Sequence, residues 1–276
     1  PYLCVLKPLY MKTFDTLFKN RRIHYTLHGS GPDLVLLHGF TESLDIWTDF
    51  AEELAPDFRV LCIDLPGHGN SECLGEIHTM EVMAEMVVHV LKEAGIQKCV
   101  LTGHSMGGYV SLAVAEKFPD LLSGLCLFHS SALADDPEGK ARREQVIKVV
   151  KAHHHNFLTA FIPELFAEAN RKSCAAAIRQ LLERAKKMSP EGLISALEGM
   201  RDRRDRSAVL RKATFPVLWI LGKEDSRVDY RKAMEQAVLS DDTLVLLMGG
   251  VGHMGYLEAR DRTLYALRCF AESCEA

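Results

Sequence analysis

Ser105 stands in Gly103-His104-Ser105-Met106-Gly107-Gly108, after an apolar run that reads as a strand and before a run with helical spacing. A serine at such a reversal is held in a strained backbone with its hydroxyl above the sheet, and small residues two positions away leave it room. The helix start beyond it favours developing negative charge. A serine hydroxyl is a poor nucleophile until a base removes its proton. The candidate base is His253 in Gly249-Gly250-Val251-Gly252-His253-Met254, and its candidate partner is Asp225 in Leu221-Gly222-Lys223-Glu224-Asp225. Both follow strand-like runs, so all three groups fall at carboxyl ends of strands and can converge. The carboxylate would fix the imidazole tautomer and stabilise the imidazolium. Glu224 and Asp229 are the nearby alternatives to Asp225, and a plain helix-capping serine is the alternative to a nucleophile.

An attacked carbonyl also needs N–H donors for its oxyanion. Met106 at the helix start offers one, and Phe40, after Leu36-Leu37-His38-Gly39, offers the second. His38, Gly39 and Tyr109 are candidates for the substrate pocket. His153-His154-His155 has metal-ligand chemistry, but no strand-end carboxylates or spaced cysteines accompany it, and it reads as a solvated or packing helix segment. No metal and no cofactor is expected.

Strands are expected at residues 34–38, 58–64, 99–103, 122–129, 216–221 and 243–248, all rich in Val, Leu and Ile without alternation, as for strands covered on both faces. Residues 14–18 and 23–27 flank a turn at Asn20-Arg21 and suggest an antiparallel hairpin at the sheet edge. Helical spacing covers 79–94, 106–118, 227–239 and 257–270, with Gly95 and Pro119 as stops. This alternation implies an α/β fold with a mostly parallel, doubly wound sheet. Residues 134–212 carry no strand signal but four helical pieces, at 140–151, 157–169, 174–187 and 190–200. That stretch is too long for a loop, so it should be an inserted helical lobe covering the strand ends. The expected division is 11–133 and 213–276 for the core and 134–212 for the lobe.

The chain has 33 basic and 37 acidic residues, a formal net charge of −4, which gives no basic field for nucleic acid. The mixed-sign cluster Arg201-Asp202-Arg203-Arg204-Asp205-Arg206 reads as a solvated, self-paired surface segment. No apolar stretch approaches the ~20 residues of a membrane span. Pro1-Tyr2-Leu3-Cys4-Val5-Leu6 is too short for a signal-peptide core and Met11-Lys12-Thr13 reads as a start, so residues 1–10 carry no functional weight. None of the eight cysteines forms a C-x-x-C pair, and buried free thiols in a reducing cytoplasm are expected.

Taken together, His38-Gly39-Phe40, Asp64-Leu65-Pro66-Gly67-His68-Gly69-Asn70-Ser71, the Ser105 motif, Gly222-Lys223-Glu224-Asp225 and Gly252-His253 make the sequence resemble the capped, esterase-like branch of the α/β-hydrolase superfamily, over about residues 11–270. The resemblance implies a helical cap and the order Ser, Asp, His, and it makes Asp64 and His68 structural. Haloalkane dehalogenases and epoxide hydrolases have aspartate where Ser105 stands. The synthase of menaquinone biosynthesis usually has arginine at the place of Tyr109, and carbon–carbon bond hydrolases often have asparagine at that of His104. The expectation is therefore a cytoplasmic serine hydrolase acting on a small carboxylic ester, thioester or amide, with a small acyl compound as its partner. The alternatives are reuse of the same residues for perhydrolysis, lyase or carbon–carbon chemistry, and a slow-turnover ligand receptor.

Overall fold

The computed structural model describes residues 11–275; the expectation for residues 1–10 lies outside them. The chain opens with a hairpin, β1 (Lys12–Phe18) and β2 (Arg21–Gly29). Lys19 and Asn20 turn it with φ of 50° and 61°, one residue earlier than the sequence suggested. Two left-handed residues match the twist of antiparallel strands. β3 (Asp33–Leu37), β4 (Arg59–Ile63), β5 (Cys99–His104), β6 (Leu122–Phe128), β7 (Val217–Gly222) and β8 (Thr243–Met248) complete one sheet in the order β1-β2-β4-β3-β5-β6-β7-β8. β2 runs antiparallel to both β1 and β4, and the remaining pairs are parallel. β5 and β7 are buried at every position, which explains their unbroken apolar runs.

The helices are α1 (Thr48–Leu54), α2 (Met80–Glu93), α3 (Met106–Lys117), α4 (Pro137–Phe161), α5 (Ala175–Ala185), α6 (Pro190–Arg201), α7 (Ser207–Arg211), α8 (Tyr230–Ala237), α9 (Gly255–Glu258) and α10 (Arg260–Ser273). Thr79 caps α2 by accepting from the Val82 N–H at 3.2 Å, and Asp136 and Ser189 cap α4 and α6 in the same way. α1 was not anticipated, being only seven residues long. α4 joins two expected pieces across a kink at His153 (φ −149°, ψ 58°) and stops at Phe161, not at residue 169. Pro163 brings no N–H to a continuing helix, and short 3₁₀ turns follow instead. α8 starts at Tyr230, not at residue 227, because Asp229 caps it.

Between β6 and β7 lie α4 to α7 and no strand. α6 packs along α4. The charged cluster at 201–206 departs from expectation here. Arg206 is buried and reaches Glu81 of α2 and Glu116 of α3, at 2.5 Å and 3.1 Å. Arg203 is buried as well, with its guanidinium 4.1 Å from the Tyr109 ring centroid and 2.8 Å from Asp135. Carboxylates distant in sequence supply these partners, which is why local reading assigned the arginines to solvent. Among the described residues, no helix is long and apolar enough to cross a membrane.

Candidate active site

Ser105 ends β5 and caps α3 with φ 50° and ψ −113°, a left-handed conformation strained for a side chain with a Cβ. Its N–H bonds the Phe128 carbonyl at 2.9 Å and its carbonyl accepts from Ser130 Oγ at 2.8 Å, so neighbouring strand ends hold the turn. The small flanking residues are sterically required. A Cβ on Gly103 would lie 2.3 Å from the Gly107 backbone, and one on Gly107 would lie 2.6 Å from the Leu37 carbonyl oxygen.

His253 follows β8, and its backbone N–H bonds the Leu165 carbonyl at 2.7 Å. The flanking Gly252 and Met254 N–H groups bond the Glu258 carboxylate at 3.1 Å and 3.2 Å. His253 Nδ1 lies 2.8 Å and 3.0 Å from the two carboxylate oxygens of Asp225, after β7. A carboxylate only accepts, so Nδ1 carries the proton and Nε2 is left basic. Of the alternatives, Glu224 is exposed and Asp229 caps α8, so Asp225 alone of the three meets His253. The Asp225 carboxylate is buried yet fully bonded: the Arg227 and Val228 N–H groups reach Oδ1 at 2.7 Å and 2.9 Å, and a second imidazole, His129, donates from Nδ1 to Oδ2 at 2.9 Å. Burial alone would raise the pKa of Asp225, but His253 and the hydrogen bonds from both imidazoles hold it below the usual carboxylate range. These groups approach within 4.8 Å of one another, a spacing a metal could use. Both ring nitrogens concerned already donate to the carboxylate, which accounts for the cluster.

His129 is one of the residues missed from sequence. It sits at the end of β6 with φ 48°, its burial pushes its pKa down to about 4, and a Cβ on Gly255 would lie 2.3 Å from its Nε2. Glu42 is the second. Its buried carboxylate accepts from the Gly39 N–H at 2.5 Å and from Tyr256 OH at 3.1 Å, and it faces His104 Nδ1 at 2.9 Å. His104 Nε2 donates to the His253 carbonyl at 3.0 Å. Burial works against both charges, but each partner stabilises the other: Glu42 is lowered and His104 raised. This buried ion pair ties together the turn after β3, the strand under Ser105 and the His253 loop. Glu42→Gln should cost about 3–5 kcal/mol of stability by leaving the imidazolium unpaired in the interior. Chemical denaturation measures it, and an unshifted midpoint would refute the ion pair.

Ser105, His253, Phe40 and Tyr109 line one cavity of about 550 Å³, and the rings of Phe157 and Phe161 form an aromatic wall with Phe40 at 4.9–6.5 Å between centroids. Ser105 Oγ and His253 have no direct hydrogen bond among the described residues, nor do the N–H groups of Phe40 and Met106 have an acceptor there. His38 and Gly39, expected in the pocket, are not part of this lining. The His38 ring is turned into the core, where Nε2 accepts from the Leu65 N–H at 2.9 Å and Nδ1 donates to the Gly39 carbonyl at 2.7 Å. Asp64 binds the N–H groups of Leu44 and Asn70 at 2.7 Å and 2.8 Å, a structural task.

The buried histidines also set an acid limit. Burial pushes His38 to about 3 and His68, His78 and His129 to about 4. The unfolded chain protonates them near 6.5, so the stability they contribute is complete above pH 6.5 and is lost as pH falls toward 4. His104, raised, and Asp64, raised to about 6 by burial, act in the opposite sense. Burial lowers His28 as well, and five against two leaves a net loss of about 1–4 kcal/mol per pH unit between pH 6 and pH 4.5. Thermal melts should fall over that window; a midpoint equal or higher at pH 5 than at pH 7 would contradict it.

The chain matches the family model of the alpha/beta hydrolase fold over residues 32–260, and it belongs to that family. It is 32% identical over 250 residues to the dihydrolipoyllysine-residue acetyltransferase component of the acetoin cleaving system of Pseudomonas putida; the match covers 87% of this chain but 63% of that relative's length. It is 27% identical over 258 residues to the pimeloyl-[acyl-carrier protein] methyl ester esterase of Xanthomonas oryzae pv. oryzae strain MAFF 311018, covering 91% of this chain and 99% of the relative. Among solved structures it resembles a thermophilic esterase from Thermogutta terrifontis with malate bound, at a TM-score of 0.88 and 29% identity, covering 97% of this chain and all of the other.

Proposed function

We propose that the protein is a serine hydrolase that cleaves a small carboxylic ester through an acyl-enzyme. The observation that carries this reading is the Asp225–His253 pair, which leaves Nε2 basic on the same cavity wall as a strained Ser105. His253 Nε2 takes the Ser105 proton as Oγ attacks the acyl carbon. The oxyanion is held by the Phe40 and Met106 N–H groups, the second at the start of α3. His253 then returns the proton to the leaving alcohol, and water, activated by the same imidazole, releases the acid. Asp225 stays ionised and supports the imidazolium. No step calls on a metal or cofactor, and thioesters and amides are acyl donors for the same chemistry. The similarity to esterases supports ester cleavage as the class.

Residues 134–212 act as the cap over a core formed by 11–133 and 213–276. Phe157 and Phe161 of α4 and Leu197 and Met200 of α6 supply the apolar part of its underside. Seven described cysteines are free thiols, and burial pushes Cys62 and Cys99 up to about 12. Such thiols suit the reducing cytoplasm, the compartment proposed here.

A fluorophosphonate should add one adduct mass, mapped to Ser105, and p-nitrophenyl acetate and butyrate should turn over many times per enzyme. Acylation without release would instead favour a slow receptor, and labelling elsewhere would remove Ser105 as the nucleophile.

A further inference from the structure

The cavity that holds Ser105 is aromatic on one side and basic on another, on a chain whose net charge is −4. Arg142 and Arg143 of α4 and Arg227 after β7 line it. An adjoining cavity of about 420 Å³ shares all three and adds Arg203, Lys223, Arg231 and Lys232. Its basic residues outnumber its acids Asp135, Asp136, Asp225 and Asp229, of which Asp225 is bonded by His253 and His129 while Asp136 and Asp229 cap α4 and α8. Pairing does not neutralise this wall. Asp135 takes two guanidinium groups at once, those of Arg143 and Arg203, and so leaves one positive charge over. The carboxylate nearest Arg142 is Glu138, 3.8 Å away, with side chains 71% and 87% exposed, a pairing worth little in water. Arg227 bonds Glu164 at 3.0 Å while its guanidinium sits 4.6 Å from the Phe161 ring centroid, which keeps it at the cavity wall. Glu42, the other acid in the lining, is already engaged by His104. A cleft with low-dielectric walls and an excess of one sign of charge focuses its field on an entering ligand. A guanidinium fork binds a planar carboxylate with two parallel hydrogen bonds.

We propose that the preferred substrate is an ester whose acyl chain ends in a carboxylate, a monoester of a dicarboxylic acid, with Arg142 and Arg143 receiving the free carboxylate while the ester carbonyl lies at Ser105. This rests on the ester hydrolysis proposed above and adds the substrate class to it. The aromatic wall of Phe40, Phe157 and Phe161 covers the methylene chain between the two ends.

Phenyl hemisuccinate, hemiglutarate and hemiadipate are compared with phenyl butanoate, pentanoate and hexanoate in low salt. For at least one chain length, kcat/KM should favour the anionic ester tenfold or more. Arg142→Gln should reduce that ratio about tenfold, and 0.5 M NaCl should also reduce it. The ratio is indifferent to a general loss of folded enzyme. Arg143→Lys, which keeps the charge beside Asp135, should reduce it less than Arg142→Gln. Glutarate and adipate, without any ester, should raise the melting temperature of the wild-type protein more than their diamides do, and Arg142→Gln should abolish the difference. Equal or better hydrolysis of the neutral esters at every length overturns the proposal and leaves ester hydrolysis standing. Stabilisation by diacids with no ester turned over would keep the anion site and overturn the hydrolase reading. A phenyl acetate carrying the carboxylate on its phenyl ring, if preferred over every acyl-side anion, would move the charge to the leaving group and overturn the assignment to the acyl chain.

Discussion

Ser105→Ala should lower kcat on p-nitrophenyl butyrate by about 10⁶, leaving only what the N–H donors and substrate binding supply. The expectation follows from the position of the hydroxyl. Ser105 is held at φ 50° between β5 and α3, and the other serine of the cavity lining, Ser226, donates its hydroxyl to the Glu164 carbonyl at 2.8 Å. The fold should be unaffected, because Ser105 Oγ bonds nothing among the described residues and the turn is maintained by its backbone and by Ser130. Ser105→Gly separates the two roles of the position. It should be equally inactive, yet more stable by about 1 kcal/mol, since glycine adopts a left-handed backbone without strain. Activity above about 1% of wild type in either variant, with folding verified by circular dichroism, would contradict the mechanism.

Asp225→Asn should cost about 10⁴ in turnover while changing the shape of the site very little. The amide orientation is dictated by the loop. The Arg227 and Val228 N–H groups require an acceptor at Oδ1, so the NH₂ must occupy the Oδ2 position that faces His253 and His129. Both imidazoles then have to accept at Nδ1 and carry their protons on Nε2. His253 loses the lone pair that would take the Ser105 proton. Steady-state rates at pH 8 and the imidazole nitrogen shifts in an NMR spectrum measure the two halves of this argument. A rate within tenfold of wild type, or a His253 still protonated at Nδ1, would refute it.

Much of this site could be read along the chain because each part carries a local signature. A serine between glycines that separate an apolar run from a helical one marks a turn, and the loops after β7 and β8 bring Asp225 and His253 to the same sheet edge. The class of sheet, mostly parallel and doubly wound, was readable because βα alternation restricts the handedness of crossovers, while the strand order came from the structure. Where local cues were weak, boundaries slipped: α4 runs through the three histidines as a kinked helix, and the 257–270 helix breaks at Ala259 (φ −142°) into α9 and α10.

His129 and Glu42 had no such signature. Neither sits at a recognisable spacing from its partner: His129 meets Asp225 across 96 positions, and Glu42 meets His104 across 62. The same holds for Arg203 and Arg206, which look like surface charge until Asp135, Glu81 and Glu116 arrive from other elements. What the amino-acid order alone determined was the alternation of strands and helices, the strained serine turn and the two strand-end loops that carry Asp225 and His253, because these depend on backbone geometry and contacts within a few residues. Which buried charges exist, and which imidazole nitrogen keeps its proton, was decided only by the tertiary structure. An ionisable group tolerates burial only beside a partner, and sheet closure chooses that partner from distant parts of the chain.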